Sequence, residues 1–314
     1  MKYIVKKIIT LFVTLLLVSA VTYLAFSVIP GDPATTKLGT YATPERVEAL
    51  REEMGLNKPL PERYADWLAG AVHGDFGESY QYTGVQVSEL LNQRLTVTLL
   101  LAVLSFIIIL IVSIPLGLLA ARKEGTWVDI FVNISTQVTM AIPAFFLGMI
   151  LTFFFGLTLK LFQPGKFVMP DKDLGACLRY LFFPALAIAI PKIAMVVKFL
   201  RNSVLSEIKK DYVRTAYSKG RSTKEVVYIH VFQNALIPVI TFIAMVAAEI
   251  LAGSIVVEQV FSVTGVGRLL VTAIANRDYA VIQAAVLYIT AIVVIINFVV
   301  DILYQFVDPR VRTE

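Results

Sequence analysis

The stretch Tyr212–Pro238, YVRTAYSKGRSTKEVVYIHVFQNALIP, is a basic, amphipathic interruption between two very apolar segments. Its surroundings decide the fold. The chain is 57% hydrophobic and 16% charged, with a mean hydropathy of +0.75. Soluble domains have an apolar share nearer 45–50%, so this composition predicts an all-α integral membrane protein. The net charge of +5 fits Lys and Arg gathered in cytoplasmic loops, where they set orientation, and no nucleic-acid partner is expected. A single cysteine, Cys177, and two histidines, His73 and His230, exclude an intrachain disulfide framework and a Cys/His metal cluster.

Working outward, six apolar spans are expected. Lys2, Lys6 and Lys7 precede the uncharged run Ile8–Ile29, which reaches about 33 Å as a helix and is long enough to cross a bilayer. The run exceeds a signal-peptide h-region and no small-residue cleavage site follows, so it reads as a retained first span. Pro30-Gly31-Asp32-Pro33 then opens a region, 30–94, that carries five basic residues against ten acidic ones up to Gln93 and is expected outside the cytoplasm. Within it Thr43, Pro44 and Gly55 mark a short capped helix, and a second is expected after Pro61 with Tyr64, Trp67 and Leu68 on one side. The plainer reading of this region is a small folded lid; the sharper one is a docking surface for an extracytoplasmic partner. Further spans are expected at Leu95–Ala121, at Ile130–Phe162 with a bend at Pro143, at Tyr180–Leu200, at Leu236–Val257 and at Tyr279–Val307, with Glu258–Asp278 as a loop. The organisation is thus 1–29, 30–94 and a core at 95–314, with both termini cytoplasmic.

The segment Arg201–Asn234 holds seven basic residues and three acidic ones, the firmest cytoplasmic signal in the chain. It reads as two helices around a corner. Gly220 can end the first in the left-handed conformation, and Ser222-x-x-Glu225 is a capping box for the second. Tyr212, Ala216 and Tyr217 fall on neighbouring turns and predict a tyrosine-lined contact surface. A basic loop held by lipid headgroups is the alternative.

Arg214-Thr215-Ala216, Gly220 and Asn234-Ala235-Leu236-Ile237-Pro238 together resemble the EAA motif of permease subunits of binding-protein-dependent ABC importers. Tyr-Val-Arg-Thr-Ala at Tyr212–Ala216 is similar to the dipeptide/oligopeptide/nickel branch. Arg214 and Thr215 replace the general motif's Glu and first Ala, and Tyr217-Ser218 is less usual. Pro30-Gly31-Asp32-Pro33, His73-Gly74-Asp75-Phe76-Gly77, Glu258-Gln259-Val260-Phe261, Gly265–Leu270 and Asp308-Pro309-Arg310 extend the resemblance along nearly the whole chain. It implies a type I importer permease of the bacterial cytoplasmic membrane. The implied partners are a second permease, two cytoplasmic ATP-binding subunits or domains and an extracytoplasmic solute-binding protein. It also implies that Tyr212, Arg214, Thr215, Ala216, Tyr217, Gly220, Arg221, Ser222 and Glu225 form the ATPase-coupling surface. The chain has no G-x-x-x-x-G-K-[ST] phosphate loop, so no cofactor is expected on it. ATP, with Mg, would be hydrolysed by partner subunits.

Ionisable groups inside spans are costly and point to function. Glu249, with Gln137 and Ser254, is a candidate for the translocation path, and Lys192 is a possible partner for Glu249. Lys198 is expected to snorkel towards the surface, Asp301 to bind a facing subunit or a backbone group, and Gly253-Ser254 and Gly148 to permit close helix packing. His73 beside Asp75 reads as a turn, not as acid/base chemistry. The alternatives to a peptide permease are a nickel or other metal-chelate importer, a secondary transporter or channel without an ATPase, and a structural scaffold.

Overall fold

The computed structural model describes residues 2–28, 31–82, 84–222 and 225–307, with the side chains of 2–4, 230, 301 and 303–307 excepted. Pro30, Thr223, Lys224, the Asp301 side chain and the Asp308–Glu314 tail, all used in the sequence reading, lie outside the described residues. The described chain is helical and divides into two compact units, residues 1–98 with 264–295 and residues 99–263 with 296–314.

In the first unit α1 spans Lys2–Val28, six residues longer at its start than its uncharged run. α2 (Pro33–Leu38) and α3 (Pro44–Glu53) follow. Asp32 caps the first through the Thr35 N–H, and Thr43 caps the second through the Arg46 N–H at 3.4 Å. Pro at the first helical position fits both starts, because its missing N–H has no partner to lose there. α4 is Leu60–Val72 and lays Tyr64 and Trp67 against Tyr23 of α1, with ring centroids 5.4 and 5.6 Å apart. α5 is one helix, Val87–Arg122, beginning eight residues before the expected span because Glu89, Asn92 and Arg94 form polar turns in front of the apolar run.

The Glu258–Asp278 segment, expected as a loop, contains α11 (Val266–Asn276). Its apolar face buries Val266, Leu269 and Ala273 against Phe76, Val87, Leu91 and the first turns of α12 (Tyr279–Val307). An amphipathic helix of this length buries too little to form alone, so its stability comes from that packing. Asp278 closes this core: its carboxylate accepts from Ser79 Oγ at 2.5 Å and from the Gln81 N–H at 3.2 Å.

The second unit is organised around α8, Leu174–Ile208, which contains Pro184 and Pro191. It packs against α6 (Trp127–Met140), α7 (Ala144–Leu151) and α10 (Phe232–Val260). α6 and α7 bend by 98° at Ala141–Pro143, where proline removes a helical N–H; π-helical turns at Thr152–Thr158 continue α7. Among the described residues five helices are long and apolar enough to cross a membrane, or six with this bent pair as one span.

Two glycines allow the helices to close up. A Cβ at Gly117 would approach Leu200 to 2.8 Å, and one at Gly148 would meet Phe261 at 3.0 Å. Gly148 thus meets its packing expectation, whereas a Cβ at Gly253 meets nothing within 4 Å. Cys177 is a free, buried thiol on α8.

Candidate functional site

The basic insert begins where α8 ends. Lys210 turns the chain and α9 runs Asp211–Ser218. Val213 is its anchor, 1% exposed, while Arg214, Thr215, Tyr217 and Ser218 remain exposed and Ala216 is half-buried. The Tyr212 hydroxyl donates to Glu207 Oε1 at 3.1 Å and accepts from Asn234 Nδ2 at 3.2 Å. Tyr212 is nonetheless 37% exposed. Its hydroxyl braces α9 against both the helix that enters the insert and the one that leaves it. Burial holds its phenol above the usual tyrosine range, the Glu207 carboxylate adding to the effect and the Asn234 hydrogen bond opposing it.

The corner follows the local chemistry of the sequence. Gly220 has φ +77°, in the left-handed region that L side chains avoid. The Gly220 N–H donates to the Tyr217 carbonyl at 2.9 Å and the Arg221 N–H to the Ala216 carbonyl at 3.4 Å. Ser222 and Glu225 then cap each other: the Ser222 N–H donates to Glu225 Oε2 at 3.1 Å and the Glu225 N–H to Ser222 Oγ at 3.3 Å. π-helical turns at Val226–Val231 lead straight into α10. The Arg214–Asp211 and Arg221–Glu225 pairs, at 3.7 and 3.8 Å on exposed side chains, contribute little and leave both guanidinium groups able to meet a partner.

The stem is locked by a group the sequence reading missed. Asp129, 4% exposed at the start of α6, takes a two-pronged hydrogen bond from Arg201: Nε to Oδ1 at 2.5 Å and Nη2 to Oδ2 at 2.7 Å. The Gly125 N–H and Asn133 Nδ2 complete its shell at 3.0 and 2.9 Å. Only the Asp129/Asn133 spacing of four was visible as a local signal.

Within the spans, Lys192 of α8 and Glu249 of α10 form an ion pair. The Glu249 side chain is 51% exposed and that of Lys192 21%. Gln137 is exposed and accepts from Lys198 Nζ at 3.4 Å, so Lys198 has a partner within the unit. Ser254 is fully buried and its hydroxyl donates to the Leu251 carbonyl at 2.8 Å, which turns it away from the surface that carries Glu249.

The first unit holds a cleft of about 680 Å³ lined by Tyr23, Lys37, Arg63, Trp67, Tyr80 and Tyr279 among others. Burial pushes the Tyr80 phenol well up, so it presents a neutral hydroxyl. Nearby, His73 Nδ1 shares a hydrogen bond with the Ala69 carbonyl at 2.8 Å, while Asp75 accepts from the Gly77 N–H at 2.9 Å. These two side chains are engaged in a turn.

Comparison with known proteins agrees along the whole chain. Residues 113–313 match the family described as the binding-protein-dependent transport system inner membrane component, and residues 1–102 match the N-terminal region of such membrane components. The chain is 35% identical to a probable peptide ABC transporter permease protein of Sinorhizobium fredii, covering 99% of each. It is 37% identical to a putative peptide transport system permease protein of Brucella abortus over 98% of each. It is 34% identical to the oligopeptide transport system permease protein AppB of Bacillus subtilis over 99% of each. An all-helical chain with apolar spans, a braced basic insert and a match to both family segments belongs to the binding-protein-dependent transport system inner membrane components, the multi-pass permeases of the bacterial cytoplasmic membrane.

Proposed function

We propose that this chain is the permease subunit of an ATP-driven importer of di- or oligopeptides. The segment 201–238 and both termini would face the cytoplasm, and the region 30–94 the opposite side, where a solute-binding protein docks. A second permease would complete the pathway, and two ATP-binding subunits would hydrolyse ATP. α9 is the part an ATPase grips. The observation that carries this reading is its bracing: Val213 buried, Tyr212 bonded to Glu207 and Asn234, and Ser222 and Glu225 capping each other at the corner. A push on α9 is thereby delivered to two spans at once, as alternating access about a midplane site requires. The exposed faces of Tyr212, Arg214, Thr215, Ala216, Tyr217 and Arg221 make the contact, with Gly220, Ser222 and Glu225 setting its angle. Glu249 and Gln137 are the pathway residues this reading retains.

The test is affinity purification of the tagged chain from its own membranes, followed by reconstitution with binding protein and peptide. A second permease and an ATPase should co-purify, and loaded binding protein should stimulate ATP hydrolysis. Ala216→Glu and Gly220→Pro should insert into the membrane yet abolish that stimulation. Full stimulation in both variants would remove the coupling assignment, and transport driven by an ion gradient alone would remove the importer.

A further inference from the structure

The Lys192–Glu249 pair stands about midway along its spans. Lys192 is sixteen residues from the Ile208 end of α8 and Glu249 seventeen from the Phe232 end of α10, or roughly 25 Å at 1.5 Å per residue. Charges at such depth face a bundle interior or a water-filled cavity. This chain covers most of Lys192, 21% exposed, but leaves the Glu249 side chain half exposed. The face it shares on α10 carries Met245, Ala252 and Val256, all exposed, and Gly253, one turn beyond Glu249, opens onto space free for 4 Å around a built Cβ. An ion pair therefore lies on an open, otherwise apolar face of this chain.

From this geometry we infer that Lys192 and Glu249 form the charge-exchange site for the substrate's termini, an inference that rests on the peptide reading above. A peptide crosses as a zwitterion, and an unpaired ammonium or carboxylate is strongly disfavoured in a low-dielectric passage. In the empty site the two side chains neutralise each other. When a peptide arrives the pair opens: Lys192 takes the α-carboxylate and Glu249 takes the α-ammonium. Two ion pairs replace one, the net charge of the passage is unchanged, and no proton moves. Both side chains are long and unbranched, so they part without moving the helices, and the termini of a tripeptide, at most about 10 Å apart, fit between them. The empty pair is then the closed form of the site, and any peptide length that spans the opened pair is admitted whatever its side chains.

The experiment uses the whole complex in proteoliposomes with saturating binding protein. It compares uptake of one tripeptide with free termini, N-acetylated, and C-amidated, each expressed as variant over wild type so that selection by the binding protein cancels. Glu249→Gln should lower uptake of the free and C-amidated forms at least tenfold and spare the N-acetylated form. Lys192→Gln should do the reverse for the C-amidated form. As a second measurement without binding protein, the free tripeptide should raise the melting temperature of the wild-type complex and fail to raise that of either variant. Uniform loss across the three peptides, restored by the Lys192→Glu/Glu249→Lys exchange, would make the pair a structural lock and overturn the inference, as would unchanged uptake or a melting shift retained in both variants. A wild-type complex that hydrolyses ATP but moves none of the peptides would overturn the peptide reading itself.

Discussion

Two ion pairs join helices of the same unit, and they are built in opposite ways. Asp129–Arg201 is closed: the carboxylate is 4% exposed and meets a guanidinium fork, a backbone N–H and an amide. Lys192–Glu249 is open: one contact, with half of the Glu249 side chain uncovered. A closed pair has no lone pairs left to offer a ligand and serves to hold α6 to the stem of the basic insert. An open pair holds its helices weakly and keeps its oxygens and ammonium protons in reserve. Satisfaction of hydrogen-bonding capacity, more than charge, separates a brace from a site.

The largest effect should come from breaking the closed pair. Asp129→Ala leaves Arg201 buried and uncompensated, a loss of about 3–5 kcal/mol, visible as a collapse in membrane yield and in the melting temperature of the purified complex; a stable variant would mean that water reaches the site. Exchanging its partners, Asp129→Arg with Arg201→Asp, should recover only part of that loss, because the Gly125 N–H and Asn133 amide would then face a cation. The same exchange at Lys192 and Glu249 should be tolerated, and equal penalties would erase the distinction.

Tyr212 stands between these extremes. Tyr212→Phe removes two hydrogen bonds at about 1 kcal/mol each, and hydrogen exchange should show α9 opening sooner while the spans are unaffected. Its phenol carries a pH signature. The folded state raises the pKa above the ordinary 10.0, so its contribution is complete below pH 10 and drains away as pH rises through the raised value. Wild-type protection of α9 should fall in that window, and Tyr212→Phe should flatten the dependence. The smallest change in stability is expected for the Lys192→Glu/Glu249→Lys exchange, which keeps an ion pair at the site: the loss read from the melting curve should stay within about 1 kcal/mol, however large the effect on uptake.

How much of this was legible in the sequence follows from the range of the interactions. Thr43, Gly220 and the Ser222/Glu225 box act within four residues, and all three are placed as their chemistry dictates. The spans are legible in number but not in extent, since α5 and α8 run past their apolar runs into polar turns that tertiary contacts hold helical. α11 was hidden because an eleven-residue amphipathic segment after a Gly-Val-Gly turn reads as loop until Phe76 and Leu91 are known to lie beneath it. Asp129 finds Arg201 across 72 residues, a distance no local pattern spans. Lys192 and Glu249 were nameable as a pair because charges in apolar helices have so few alternatives.

The lone thiol of Cys177 has a use that follows from its burial in α8. A label that attacks accessible sulfur will pass it by in the folded protein, so the natural sequence already serves as a silent background. Single cysteines placed at Tyr217 or Gly253 could carry spin or fluorescent probes without any prior removal of native sulfur. Distances from such probes, followed through the nucleotide cycle, would trace how a movement gripped at the insert reaches the middle of the spans.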